Sequence, residues 1–70
     1  MIFESLRAWR KEKSFEKNVP AYIVFTDATL TAMAELMPRD IDELSAIPGV
    51  GPAKLTEFGA ELLEIIHVQH

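Results

Sequence analysis

Residues Ile47-Pro48-Gly49-Val50-Gly51-Pro52-Ala53-Lys54-Leu55 combine the groups that hold an anion: two glycines two apart, flanking prolines, and a basic residue just beyond. Where no Cβ overhangs the chain, the backbone N–H groups at Gly49, Val50 and Gly51 and the start of the following helix can converge on a phosphate oxygen, and Lys54 adds a charge one turn on. The same permissive residues serve a plain helix connection, so spacing alone leaves both readings open. A second group lies near the start of the chain, where Arg7 and Lys11 are four apart and neighbours on a helix flank, with Arg10 at the edge of the helix's apolar stripe. Their alternative reading is a solvated helix face. Tyr22 is the third candidate. Next to a Pro-containing turn, its ring suits stacking on an unpaired base, an interaction of about 1–3 kcal/mol per base, or else the half-buried place of an ordinary core tyrosine.

Catalytic chemistry finds no comparable constellation. The chain has neither a G-x-x-x-x-G-K-[ST] loop nor a G-x-G-x-x-G turn, so nucleotide hydrolysis and dinucleotide binding are not encoded in it. Two acidic sets, Asp40 with Asp42 and Glu43, and Glu57 with Glu61 and Glu64, are explained by helix capping and solvated faces rather than by a metal. His67 and His70 have i, i+3 spacing but lack further ligands. With no cysteine, thiol nucleophiles, Cys-based zinc sites and disulfides are all absent, which fits a reducing compartment. The expectation is no catalytic residue, no metal and no cofactor.

Seventy residues with 49% hydrophobic content build one core, hence a single domain over 1–70. The net charge of −4 disfavours a polyanion partner on average, but the average conceals a segregation. Residues 1–17 set Arg7, Arg10, Lys11, Lys13 and Lys17 against Glu4, Glu12 and Glu16, a balance of +2, whereas the remainder sets Arg39 and Lys54 against eight carboxylates, a balance of −6. No apolar run approaches the roughly 20 residues of a membrane span, and Met1-Ile2-Phe3-Glu4 lacks a signal layout. A soluble, cytoplasmic monomer is expected.

These groups must be positioned by helices. Residues 2–17 contain no Gly or Pro and place Ile2, Leu6 and Trp9 on one stripe with Phe3 beside it, so helix one spans them with Trp9 in the core. Lys13 falls on the apolar side, its stem packing and its ammonium reaching water, while Phe15 points away from that side. Pro20 then breaks the period. A turn and a short extended or 3₁₀ segment are expected, with Val19, Ile23, Val24 and Phe25 plugging the core. Thr26-Asp27 starts helix two, whose Leu30, Met33, Ala34 and Met37 follow i, i+3, i+4, i+7, and Pro38 stops it. Asp40 and Glu43 have capping-box spacing for a short helix three with Ile41 and Leu44 inward. After a tight connection in which both glycines are available for positive φ, Pro52 opens helix four, with Leu55, Phe58, Leu62, Leu63 and Ile66 buried. Residues 67–70 are expected to fray. The fold class is all-α, a compact antiparallel bundle of four to five short helices.

In this order, Leu6 to Lys11, Val19-Pro20-Ala21-Tyr22-Ile23-Val24-Phe25-Thr26-Asp27-Ala28-Thr29-Leu30, Met37-Pro38, Ile47 to Leu55 and Phe58-Gly59 resemble the HRDC (helicase and RNase D C-terminal) domain, from about residue 4 to residue 66. The resemblance implies a five-helix bundle excised from a larger protein: a RecQ-type or UvrD-like bacterial helicase, nucleoid-associated, or an RNase D-type ribonuclease. It implies weak binding of single-stranded or junction DNA that tunes substrate preference. ATP and magnesium belong only to the parent's motor. The family's basic patch and aromatic residue fall on Arg7, Arg10, Lys11, Tyr22 and Lys54. Lys13 and Phe15 depart from the usual apolar and polar residues at their positions. With the acidic remainder, they point to the alternative, a docking module for the parent's core or another protein, with Phe15 as the contact.

Overall fold

The computed structural model describes residues 2–68. Ile2–Lys17 form α1, Ala21–Val24 α2, Asp27–Leu36 α3, Ile41–Ser45 α4 and Pro52–Val68 α5, and the described residues contain no strand. The expected all-α class is met. No helix among these residues is long and apolar enough to cross a membrane.

The stripe of α1 buries Leu6 and Trp9, with Ile2 and Phe3 half-buried beside them. Asn18 ends the helix in a left-handed conformation (φ 57°). Its N–H donates to the Phe15 carbonyl (3.2 Å) and that of Val19 to the Ser14 carbonyl (3.0 Å). This is a Schellman stop, with Asn in the place glycine usually takes.

The next segment corrects the sequence reading. Ala21–Val24 form one turn of α-helix, not an extended or 3₁₀ run. Pro20, whose ring presets φ near −61°, sits at the N-cap, where a missing N–H costs nothing. Ile23 is not a plug either. It is 48% exposed, and the buried residues are Val24 and Phe25.

Helix α3 starts where expected, the Thr26 hydroxyl accepting from the Thr29 N–H at 3.3 Å. Leu30 and Met33 are sealed, and the chain leaves through Met37 in the left-handed region (φ 49°) ahead of buried Pro38. Asp40 Oδ1 caps α4 by accepting from the Glu43 N–H (2.9 Å), and Glu43 Oε1 reaches back to the Arg39 N–H (2.9 Å). Leu44 points inward, but Ile41 is 44% exposed and lies over Gly59, where an added Cβ would meet its Cδ1 at 3.0 Å.

Of the two glycines available for positive φ in the following turn, Gly49 uses it (+94°) and Gly51 does not. The Thr29 hydroxyl donates to the Pro48 carbonyl (3.0 Å), which ties the turn to α3. Pro52 begins α5, which continues through Val68. His67 and Val68 are therefore helical rather than frayed, and Gln69 and His70, with the His67/His70 pair, fall outside the described residues. At the centre Trp9 meets Phe58 edge-on (centroids 5.1 Å, 89°), and Phe25 lies about equally far from both rings, at 6.1 and 6.0 Å. The three rings join α1, the exit of α2 and α5.

The turn yields a stability test. A Cβ at Gly49 would stand 2.2 Å from Thr29 Oγ1. Gly49→Ala is expected to destabilise by about 2 kcal/mol or more, from left-handed strain and a disturbed Thr29–Pro48 hydrogen bond. A Cβ added at Gly51 would meet no atom within 4 Å beyond its chain neighbours. Gly51→Ala should therefore stay within about 0.5 kcal/mol of the parent. Urea midpoints measure both, and equal midpoints would refute the assignment.

Candidate nucleic-acid interface

Five cations project from α1, and the fold divides them. Arg10, expected at the edge of the apolar stripe and in contact with phosphates, is 8% exposed. Its Nη1 donates to the Phe25 carbonyl (2.9 Å) and its Nη2 pairs with Asp27 Oδ1 (2.8 Å). That placement corrects the sequence reading: the guanidinium is matched inside the protein. Lys13 lays its stem on the apolar side as anticipated, but its ammonium meets Glu61 Oε1 at 3.0 Å and Glu16 Oε1 at 3.5 Å rather than open water. Lys17 pairs with Glu57. Arg7 and Lys11 remain exposed, and neither has an ion pair among the described residues. Arg7 rests over the Phe3 ring at 5.9 Å.

These two cations line a shallow groove with Ala8, Arg10 and Ala21, the first residue of α2. Tyr22, one residue on, is 66% exposed, which excludes the half-buried core reading and leaves its ring open to a ligand. To the same turn α5 delivers Lys54. Its Nζ donates to the Ile23 carbonyl (3.0 Å) and stands 5.8 Å from the Phe25 centroid and 5.6 Å from that of Phe58. The one-turn α2 is thus the place where the α1 groove, the tyrosine and the head of α5 come together.

The glycine corner is less open than its spacing promised. Val50 is buried, and its N–H donates to the Ile47 carbonyl (3.1 Å) as part of the turn, so it is not a free donor. Gly49 and Gly51 are exposed on either side of it. Among the described residues, no group of three or more His, Asp or Glu is placed to hold a metal ion.

The ion pairs across α1 and α5 were not legible in the sequence, where Glu57 and Glu61 read as solvated. Glu61 also accepts from the Trp9 indole N–H (3.3 Å). Its carboxyl is held below the ordinary value by the hydrogen bond from Lys13, with the Trp9 bond helping and partial burial opposing. Lys13 is pushed up, chiefly by that same bond. A depressed carboxylate stabilises the fold above its unfolded value and loses that contribution as pH falls through the folded value. A raised ammonium contributes below its unfolded value and loses it as pH rises through the folded one. The stabilisation removed by Glu61→Gln should therefore be full between pH 4.5 and 10.5 and shrink toward zero in more acidic solution. Urea unfolding of both proteins across pH tests this, and a difference that persists unchanged at pH 2 would contradict it.

Comparison with known proteins places this geometry in context. A sequence model described as the HRDC domain matches residues 1–66. The chain is 51% identical over 61 residues to the ATP-dependent DNA helicase UvrD2 of Mycobacterium tuberculosis, covering 87% of this chain and 9% of that protein. To the ATP-dependent DNA helicase RecQ of Pasteurella multocida it is 45% identical over 69 residues, covering 99% of this chain and 11% of the helicase. Among solved structures, D. radiodurans RecQ HRDC domain 3 superposes with a TM-score of 0.91 at 37% identity, covering 96% of this chain and 88% of that one. The chain thus spans about a tenth of the length of these curated relatives.

Proposed function

The chain belongs to the HRDC domain family, and from that premise we propose that it is the non-catalytic accessory module of a bacterial DNA helicase, binding single-stranded or junction DNA weakly and tuning substrate preference. The observation that carries this reading is the 66% exposed Tyr22 next in sequence to Ala21, which lines a groove with Arg7 and Lys11, the two α1 cations left without carboxylate partners among the described residues. Phosphates meet Arg7 and Lys11, and a splayed base stacks on Tyr22. The exposed Gly49 and Gly51 offer a further backbone contact. ATP and magnesium act only in the motor of the parent helicase.

A second reading rests on Phe15. It is 74% exposed and borders a hollow with Val19, Pro20 and Ala21, a surface suited to docking on the parent's core or another protein.

Anisotropy titration of a labelled single-stranded oligonucleotide separates the two. Binding is expected in the micromolar range or weaker, and two neutralised phosphates give a log–log salt slope of about −1.4. Tyr22→Ala should weaken it by about 1–3 kcal/mol, Arg7→Glu with Lys11→Glu should abolish it, and Phe15→Ser should leave it unchanged. Absence of binding at low salt would end the nucleic-acid reading and leave the docking one.

A further inference from the structure

We propose that Lys54 and Arg10 are positioning residues that clamp the exit of α2 and so present Tyr22, acting on a polynucleotide through that ring rather than through its phosphates. The inference rests on the reading of Tyr22 as the stacking residue and extends it to two cations that the ligand does not have to touch.

A helix of one turn has no stability of its own, because nucleation fixes several residues for one hydrogen bond. Its last carbonyls also lack partners within the helix. In α2 the internal support amounts to Ile23 N–H to the Pro20 carbonyl (3.0 Å) and Phe25 N–H to the Ala21 carbonyl (3.3 Å). Tyr22 and Ile23 cannot anchor it, since both point largely into solvent at 66% and 48% exposure. Cations from two other helices meet the exit. Lys54 of α5 takes the Ile23 carbonyl at 3.0 Å, and Arg10 of α1 takes the Phe25 carbonyl at 2.9 Å. Both are held in place themselves, Lys54 over the Phe25 and Phe58 rings and Arg10 by Asp27. Positive groups also suit a helix C-terminus, where the backbone dipoles present their negative end. The backbone at and just after the exposed pair is thereby pinned, and the direction of the Tyr22 side chain follows from it.

A phosphate ligand and a positioning residue leave different signatures. Losing a phosphate contact on single-stranded DNA lowers the salt slope by about 0.7, whereas losing a positioning contact lowers affinity at constant slope. Lys54→Met keeps the stem over the rings and removes the donor. We expect it to weaken oligonucleotide binding roughly two- to tenfold, the range of one lost hydrogen bond, with the slope unchanged. Lys54→Arg should restore affinity, and Lys54→Met should add nothing in a Tyr22→Ala background, as residues acting through one another behave in a double-mutant cycle. A reduced slope, or a fully additive loss, would overturn the proposal. Amide exchange decides the clamp without DNA: the Phe25 N–H should exchange faster in Lys54→Met than in the parent at equal global stability. Unchanged exchange sinks the clamp even if DNA binds, while faster exchange with no binding by the parent protein upholds the clamp and removes the function assigned to Tyr22.

Discussion

A guanidinium withdrawn from water must have its donors matched, and the burial of Arg10 is the constraint around which the first half of the molecule is arranged. Its two partners, the Phe25 carbonyl and the Asp27 carboxylate, flank Thr26, the N-cap of α3. One side chain thus fixes where α2 ends and how α3 departs. The Phe25 ring closes the same junction from within against Trp9 and Phe58. The alignment of α1 with α3 and the exposure of the α2 turn both follow from that joint.

The acidic α5 completes the arrangement by sorting the remaining cations. Glu57 and Glu61 project from one face of α5 at i, i+4 and take Lys17 and Lys13, which stand at the same spacing on α1. The seam between the two longest helices is therefore closed by ion pairs above an aromatic core. Arg7 and Lys11 repeat the four-residue step on a different flank, nearer α2 and out of reach of these carboxylates. The ion-paired seam and the small basic patch are two results of one packing geometry.

Much of this was legible from local pattern. The period of 3.6 placed α1, α3 and α5, and Thr26, Asp40 and Pro52 marked helix starts because capping chemistry acts within three residues. Trp9 was assigned to the core by its register with Leu6. The errors cluster where the deciding partner is remote. Arg10, at the edge of the apolar stripe, read as open to phosphates because its acceptors lie 15 and 17 positions away, and the contact of Lys54 with the Ile23 carbonyl, 31 positions away, had no local signal. A one-turn helix such as α2 is too short for periodicity to reveal and is held by tertiary contacts. Val50 was misjudged for another reason: residue type indicates which backbone groups are accessible to a ligand, but not that the turn itself uses the N–H. The resemblance conveyed the family's architecture, yet it could not say which basic positions this particular chain neutralises.

That neutralisation bears on how a chain of net charge −4 meets a polyanion. At physiological ionic strength charges act over about 8 Å, so an approaching phosphate responds to the nearest few groups rather than to the total. Beside α2 those groups are Arg7 and Lys11, whereas Phe15 is followed directly by Glu16. The two exposed aromatics therefore lie in different local fields, Tyr22 one residue from Ala21 in the groove of Arg7 and Lys11, and Phe15 next in sequence to a carboxylate already shared with Lys13. On the proposed reading a phosphate strand is drawn to the first and gains nothing at the second. In the proposed setting the motor of the parent helicase holds the same strand. A weak contact at Tyr22 then operates at the effective concentration set by the tether, where two cations and one ring suffice to bias which DNA stays engaged.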